Sequence, residues 1–374
     1  MKIIRMITAI FLVLGHLSAA ITAGSEQVEK NIEYQNERMD FLRNEYYADY
    51  TPCDESQLAA FDIDEAIENG VKYNEVQFLG THNSYQIEAT EEYKQLFRTL
   101  SDLTFGLISA ETAEFTMDSL TEQLEVGIRG LEIDIETVDK DGEVSFIVTH
   151  NPQLDNTTGC YDFEKAIEEI KMWSDHNPGH LPVTVIVEPK KGVIPVNDMK
   201  NLTMEYVSVL EKIISEKMGD TLLTPKDMMG DYGSFKEMRE ADGWLSLEDT
   251  MGKVLFLLHD TTVTSQYIKQ DESIKSQTMF PMLRFDDRNK EYASFIIDNE
   301  PGTALSHEAE SIEKCNLIVR TRADSFPNAD EKRYEKTNNC LSQIISTDYP
   351  VRKNESRYPV YSFDGYTVKL QKKI

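Results

Sequence analysis

The sequence predicts an α/β fold, a (β/α)8 barrel of the TIM type, irregular in one connection and preceded by an N-terminal helical extension. Three observations predict it. Eight short apolar runs, rich in β-branched residues, recur between residues 76 and 347. Longer amphipathic stretches separate most of them, which is the alternation of strand and helix. Each run ends in polar or charged residues, and barrels of this type carry their sites at the C-terminal ends of the strands. The alternative is an open doubly wound sheet. That fold usually follows its first strand with a glycine-rich phosphate turn, and here the first run leads into Gly80-Thr81-His82-Asn83-Ser84-Tyr85.

The chain opens with Lys2 and Arg5, an apolar run from Met6 to Leu14, and small residues through Ala20 and Ala23. This order reads as a signal peptide over 1–23, so the protein is expected to be secreted. The apolar run is too short for a spanning helix, and no later stretch is long enough. Residues 24–70 read as an N-terminal extension, helical from Glu26 to Tyr47 and packed outside the main domain, which is 71–374. The predicted strands are 76–80, 131–135, 145–149, 183–188, 254–258, 282–285, 317–320 and 343–347. Tyr161–His176 and Asn197–Met218 read as helices; the first carries Phe163, Ala166, Ile167, Ile170 and Trp173 at helical spacing. The second connection is short, so one helix is reduced or missing there.

Composition narrows the function. The 374 residues include 38 Lys and Arg against 66 Asp and Glu, a formal charge of -28. Hydrophobic residues at 40% and charged residues at 28% are ordinary for a globular protein and exclude a disordered chain. So acidic a surface repels a nucleic acid backbone, and no nucleic acid partner is expected. Cys53, Cys160, Cys315 and Cys340 have no CxxC spacing, which argues against zinc or a redox motif. An even count in an exported chain suggests disulfides. Sequence proximity favours Cys315–Cys340, leaving Cys53–Cys160, with free buried thiols as the alternative. Asn156, Asn201 and Asn354 lie in N-x-[ST] sequons, which are glycan acceptors in a eukaryotic source.

Two groups of residues at the strand ends carry chemistry. Glu132 and Asp134 are two apart on a strand and share a face. Glu188 from a later strand adds a third carboxylate, and Asn83 adds an amide oxygen. This all-oxygen set suits Ca²⁺ better than zinc. Pairing of the carboxylates with Arg129, Lys190 or Arg322 is the competing arrangement. Glu136 is expected to be solvated. His82 and His150 each follow a threonine, precede an asparagine and end a predicted strand. Such a pair can move two protons near neutral pH, as phosphodiester cleavage by an internal hydroxyl requires. His259 reads equally as a mouth residue and a structural one. His176 and His180 read as structural residues of the bottom face, and His307 as a surface residue before a helix.

The segments Gly80-Thr81-His82-Asn83-Ser84-Tyr85, Gly127-Ile128-Arg129-Gly130-Leu131-Glu132-Ile133-Asp134 and Val148-Thr149-His150-Asn151 resemble the catalytic half-barrel of phosphatidylinositol-specific phospholipase C, with Glu188 resembling its fourth-strand calcium ligand. The likeness is greatest to the secreted, single-domain, calcium-dependent enzymes. It implies His82 and His150 as catalytic residues, and Asn83, Glu132, Asp134 and Glu188 as ligands of a Ca²⁺ cofactor. Lys190, Arg320, Arg322, Asp348 and Tyr349 are the candidates for binding the substrate. The implied activity is cleavage of phosphatidylinositol to diacylglycerol and a cyclic inositol phosphate, by a monomer acting on inositol phospholipid at a membrane surface. The competing readings are a glycerophosphodiester phosphodiesterase or sphingomyelinase D-like barrel, and an inactive secreted binding barrel.

Overall fold

The computed structural model describes residues 26–91, 94–95, 98–99, 115–150, 157–190, 198–259, 262–325, 330–353 and 360–371. The expected leader, Asn151, Asn156 and Asn354 lie outside the described residues. Among the described residues, eleven strands form one sheet. They are β1 (Val76–Thr81), β2 (Gly130–Lys140), β3 (Glu143–Val148), β4 (Val183–Pro189), β5 (Met199–Lys200), β6 (Val254–Leu258), β7 (Phe280–Arg284), β8 (Phe295–Ile297), β9 (Ile318–Arg322), β10 (Ile344–Thr347) and β11 (Val368–Leu370). Eight of them are parallel and close on themselves in the order β1-β2-β4-β6-β7-β8-β9-β10, with β10 returning to β1. This is the closed barrel the sequence predicts.

Closure is tightest between β1 and β2, which share one register pair, Gly80 with Gly130. A Cβ on Gly80 would stand 2.9 Å from the Gly130 carbonyl oxygen, so a side chain there would force the seam apart. Below this contact the strands diverge, and β11 pairs antiparallel with β1 from Val76 to Phe78.

The predicted third strand is corrected. Residues 143–148 run antiparallel to β2 and stand outside the barrel ring. The reason is the two-residue turn Asp141-Gly142, both at positive φ (55° and 89°). So short a connection joins antiparallel strands, whereas a parallel crossover needs a dozen residues or more. The missing barrel position is filled by β8, whose three residues are too short a run to be read as a strand.

Alternation along the strands sorts the core into two layers. Leu131, Ile133, Val185, Val187, Val254, Phe256 and Leu258 are buried in the outer cluster, together with apolar residues of the helices Phe163–His176 and Met204–Met218. The first of these helices starts where the Asp162 side chain accepts from the Lys165 amide, and it ends at Asn177. Phe78, Ile186, Leu255, Leu257, Phe280, Met282, Phe295 and Ile344 face the barrel interior and belong to the second cluster, which continues onto surrounding helices through residues such as Met228, Phe235 and Met238. Each fully buried side chain of this kind contributes about 1.5–3 kcal/mol. The polar mouth therefore rests on an apolar floor.

The N-terminal helix, residues 26–41, lies on the outside and is tied to the helix Phe163–His176 and the residue before it. Arg38 Nε lies 3.0 Å from the buried Glu169, and Gln35 donates to the Asp162 carbonyl at 3.0 Å. No helix among the described residues is long and apolar enough to cross a membrane.

The expected disulfides are also corrected, because all four cysteines are free thiols. Nearness in sequence misled. Cys315 caps the helical stretch Ala309–Lys314 ahead of β9, its Sγ 3.5 Å from Asn289 Oδ1, whereas Cys340 caps the helix Glu331–Asn339 ahead of β10 and packs in the outer cluster. Cys53 pairs instead with the Tyr50 hydroxyl at 3.3 Å, and Cys160 is buried.

Candidate active site

The strand ends converge as the alternation requires. On β2, Gly130, Glu132 and Asp134 share the inward face, and their register partners on β4 are Thr184, Ile186 and Glu188. The closest ligand oxygens of Glu132, Asp134 and Glu188 lie within 4.8 Å of one another. Glu132 and Asp134 are buried, and Glu188 is partly exposed. Lys190 Nζ bridges two of them, 3.0 Å from Asp134 Oδ2 and 2.8 Å from Glu188 Oε1. Arg320, reaching across from β9, donates to Glu132 Oε2 and Asn299 Oδ1. Its Nε donates to Ser346 Oγ at 3.0 Å. The competing arrangement foreseen for the carboxylates is thus present in part, with Lys190 and Arg320 as the cations. Arg129 lies elsewhere, on Glu55 and over the Trp173 ring.

The titrations follow from these neighbours. Burial raises Glu132, but Arg320 and then His82 overcome it, leaving the carboxyl at about 2. Burial pushes Asp134 up to about 6; Lys190 opposes the rise, while Glu188 and Glu132 add to it. Lys190 loses by burial but gains more from Asp134 and Glu188, and ends above the ordinary lysine range. Glu136, expected to be solvated, is buried, and burial aided by Asp134 lifts it to about 7.

The cluster fits a hard cation. Its donors are all oxygens, as calcium prefers. Asp134 Oδ1 is buried and has no hydrogen-bond partner among the described residues, a costly arrangement unless something else satisfies it. The Tyr85 hydroxyl donates to Asp134 Oδ2 at 2.7 Å and lies 3.5 Å from Asn83 Oδ1, placing the amide beside the same group. Asn83 itself sits at φ 49°.

His82 follows β1, and its backbone amide donates to the Thr347 carbonyl at 3.3 Å. Nδ1 is 2.8 Å from Asp348 Oδ1 and 3.2 Å from the Arg322 guanidinium, which also reaches Asp348 Oδ2 at 3.4 Å. One tautomer cannot satisfy both neighbours of Nδ1. We assign the proton to Nδ1, because the contact to the carboxylate is the shorter and a carboxylate only accepts. Nε2 is then the free lone pair, 3.7 Å from Glu132 Oε1.

His150 is exposed at the end of β3 rather than at a barrel strand. The hairpin nevertheless brings it to the mouth, since the Thr149 amide donates to the Asp134 carbonyl at 3.3 Å. His259 Nε2 stands 3.9 Å from Glu188 Oε2, on the mouth side. His180 is buried at the opposite end of β4 with Ser174, as a structural residue. His307 is corrected in detail: it lies within the helix Pro301–Glu308, stacked on Phe285 and bonded to Asp298 at 2.7 Å.

Of the residues expected to meet substrate, Arg322 is partly exposed beside His82, and Lys190 is partly exposed on the carboxylates. Arg320 is buried in its ion pair. Asp348 is engaged with His82. Tyr349 is buried, its amide donating to Thr347 Oγ1 at 2.9 Å. Sequence reasoning missed a role for Tyr85 and missed Asp324, which is buried and accepts from the Asp348 amide at 2.6 Å. The signal for Asp348 was barrel closure itself, which sets the last strand beside the first.

The comparisons with known proteins give the family and the fold. The family model described as phosphoinositide phospholipase C, Ca²⁺-dependent, matches residues 71–147 and 139–374. Among solved structures, the calcium-dependent phosphoinositol-specific phospholipase C of a Gram-negative Pseudomonas sp. is 18% identical, with a TM-score of 0.56 over 85% of this chain and 99% of that one. The myoinositol complex of that enzyme gives the same values. The Ca²⁺-dependent phosphatidylinositol-specific phospholipase C of Streptomyces antibioticus is 18% identical, with a TM-score of 0.49 over 74% of this chain and 95% of that one. No curated protein matches the chain. The chain is a phosphodiesterase and belongs to the Ca²⁺-dependent phosphoinositide phospholipase C family.

Proposed function

We propose that this is a secreted, monomeric phospholipase C that cleaves phosphatidylinositol at a membrane surface. The products are diacylglycerol and a cyclic inositol phosphate, which is hydrolysed further. In this reading residues 1–23 are a leader, 24–70 an extension, and 71–374 the phosphodiesterase barrel. One observation carries it: a histidine held by a carboxylate, His82 on Asp348 at 2.8 Å, shares a barrel mouth with the cluster of Glu132, Asp134 and Glu188. The Pseudomonas enzyme is phosphoinositol-specific and has been solved with myoinositol, which supports the choice of headgroup.

His82, with its proton on Nδ1, presents Nε2 to the inositol 2-hydroxyl and takes its proton. The oxygen forms a bond to phosphorus while the bond from phosphorus to the diacylglycerol oxygen breaks. His150 gives that leaving oxygen its proton. Arg322 stands beside His82, where its guanidinium can orient a phosphoryl oxygen. Lys190 offers a second cationic donor at the mouth. Arg320 holds Glu132 ionised and in place rather than meeting substrate, and Tyr349 belongs to the turn that carries Asp348. Asn83, Glu132, Asp134 and Glu188 would hold the calcium ion in this reading, and a bound ion would supply Lewis acidity toward the 2-hydroxyl and positive charge toward the phosphoryl oxygens.

The test is turnover of phosphatidylinositol vesicles with calcium and with a chelator, the products followed by phosphorus NMR. Cyclic inositol phosphate should form only with calcium. No turnover with calcium, or glycerol phosphate or choline as the product from other lipids, would overturn the reading.

A further inference from the structure

The turn that carries His82 and Asn83 is gripped from outside the barrel by one amide side chain. Gln123, on the helix Leu120–Glu125, is fully buried and uses both ends of its carboxamide. Oε1 accepts from the Thr81 hydroxyl at 2.7 Å. Nε2 donates to the Ser84 carbonyl at 2.7 Å and to the Asp118 carbonyl at 2.6 Å.

The directions of the neighbouring bonds follow without choice. A glutamine Oε1 only accepts, so Thr81 gives its single hydroxyl proton to Gln123. The 2.6 Å contact between Thr81 Oγ1 and Ser84 Oγ must then be donated by Ser84. Ser84 Oγ in turn accepts the Glu132 amide proton at 2.8 Å, and the Ser84 amide donates to the Glu132 carbonyl at 2.9 Å. A one-way relay thus runs from the Glu132 backbone through Ser84 and Thr81 to Gln123. Its members are all buried.

Asn83 lies inside this bracket, in the left-handed region at φ 49°. That conformation is uncommon for a side-chain-bearing residue and needs its surroundings to hold it. The platform behind the bracket is firm. The Ser119–Glu122 capping box starts the short helix, and the Thr121 amide and hydroxyl both donate to Glu169 Oε1, at 3.0 and 2.9 Å.

We propose that Gln123 is a positioning residue that fixes Asn83 relative to Glu132, and so sets the calcium affinity of the mouth without touching the ion. The inference rests on the reading of Asn83 and Glu132 as calcium ligands. Replacing a group that orients a metal ligand typically costs ~10–100-fold in metal affinity, and that is the effect expected here.

The experiment compares the wild-type chain with Gln123→Met, which is similar in length but has no amide, and with Ser84→Ala, which cuts the relay next to Glu132. Calcium dissociation constants are measured by isothermal titration calorimetry. Terbium luminescence sensitised by Tyr85 provides a second binding readout. Melting without calcium establishes folding. Both variants should melt cooperatively and bind calcium ~10–100-fold more weakly. Their phosphatidylinositol turnover should recover when calcium is raised in proportion, with lipid KM unchanged. If Gln123→Met fails to fold, Ser84→Ala carries the same expectation. Folded variants with wild-type calcium affinity would overturn the inference while leaving the metal reading intact. A wild-type chain that binds no calcium would overturn both.

Discussion

Asp348 Oδ1 lies 2.8 Å from His82 Nδ1, although 266 positions separate the two residues in sequence. The register of the closed barrel brings them together, with Thr81 opposite Thr347. Asp348 is itself held from behind. Its amide donates to Asp324 Oδ1 at 2.6 Å, and the Thr347 and Tyr334 hydroxyls donate to Asp324 Oδ2. The histidine is therefore oriented by one carboxylate, and that carboxylate's backbone by another.

His82→Ala should lower phosphatidylinositol turnover by at least ~10²-fold, the usual scale for a general acid or base. Asp348→Asn should fall in the same direction, because the amide can present a donor where Nδ1–H needs an acceptor. His150→Ala should also lose ~10²-fold if it protonates the leaving oxygen. Steady-state kinetics on vesicles checks all three. Near-normal activity in any one removes that residue from the proposed mechanism.

Arg320→Met should destabilise the fold strongly. The arginine and Glu132 are both buried, and removing one partner strands the other's charge. Breaking such a pair costs about 3–5 kcal/mol. Arg320→Met combined with Glu132→Gln should cost less than the single arginine change, since no unpaired charge remains. Urea denaturation of the two variants decides it. Equal stability loss in both would mean that packing, not charge, governs the site.

The barrel was legible because its periodicity was strong. Runs such as Val183–Glu188 are long, β-branched and bounded by polar residues. The carboxylates and His82 were legible for the same reason, since two-residue spacing and strand ends fix where side chains point. The run 145–149 has the length and apolar content of a barrel strand, and only the Asp141-Gly142 turn before it marks it as the return arm of a hairpin. β8 was missed because three residues carry no period. The disulfides failed because spacing in sequence does not fix what a cysteine meets: Cys315 lies against Asn289, and Cys340 packs in the outer cluster. The relay through Gln123 had no sequence signal, since it depends on a helix packing against a strand end.

Calcium removal should lower stability as well as activity. The cluster of Glu132, Asp134 and Glu188 gains from any cation that binds only the folded chain, by about 2.7 kcal/mol at a hundredfold excess over Kd. Lys190 remains on Asp134 and Glu188, so the chain should stay folded after chelation. Thermal melts with calcium and with a chelator measure the difference. An unchanged Tm at high calcium would count against a specific site.

The thiols should react without prior reduction. All four cysteines are free, and Cys53 alone among them is only half-buried. Ellman's reagent should modify Cys53 first in the native protein and all four after denaturation. Fewer than four reactive thiols in the denatured, unreduced chain would restore the disulfide expectation.

Acid should destabilise the chain through His180, at the end of the barrel opposite the mouth. Its ring is buried, with Nδ1 donating to the Leu181 carbonyl at 2.7 Å and Nε2 accepting from Ser174 Oγ at 2.8 Å. Burial lowers its pKa from 6.5 to about 4; the Leu181 carbonyl opposes this and Arg129 adds to it. The folded state thus binds this proton less readily than the unfolded state. Stability from this residue is full above pH 6.5, declines as pH falls toward 4, and changes no further below that. At about 1.4 kcal/mol per pH unit, the step from pH 7 to pH 5 should cost roughly 2 kcal/mol. Carboxylates titrate over the same range, so the comparison is made against His180→Gln, whose amide can still donate to Leu181. The pH 7 to pH 5 loss in urea stability should be smaller in this variant by that amount, with turnover at pH 7 retained. Identical losses in the two proteins would show that His180 is not the acid-sensitive group.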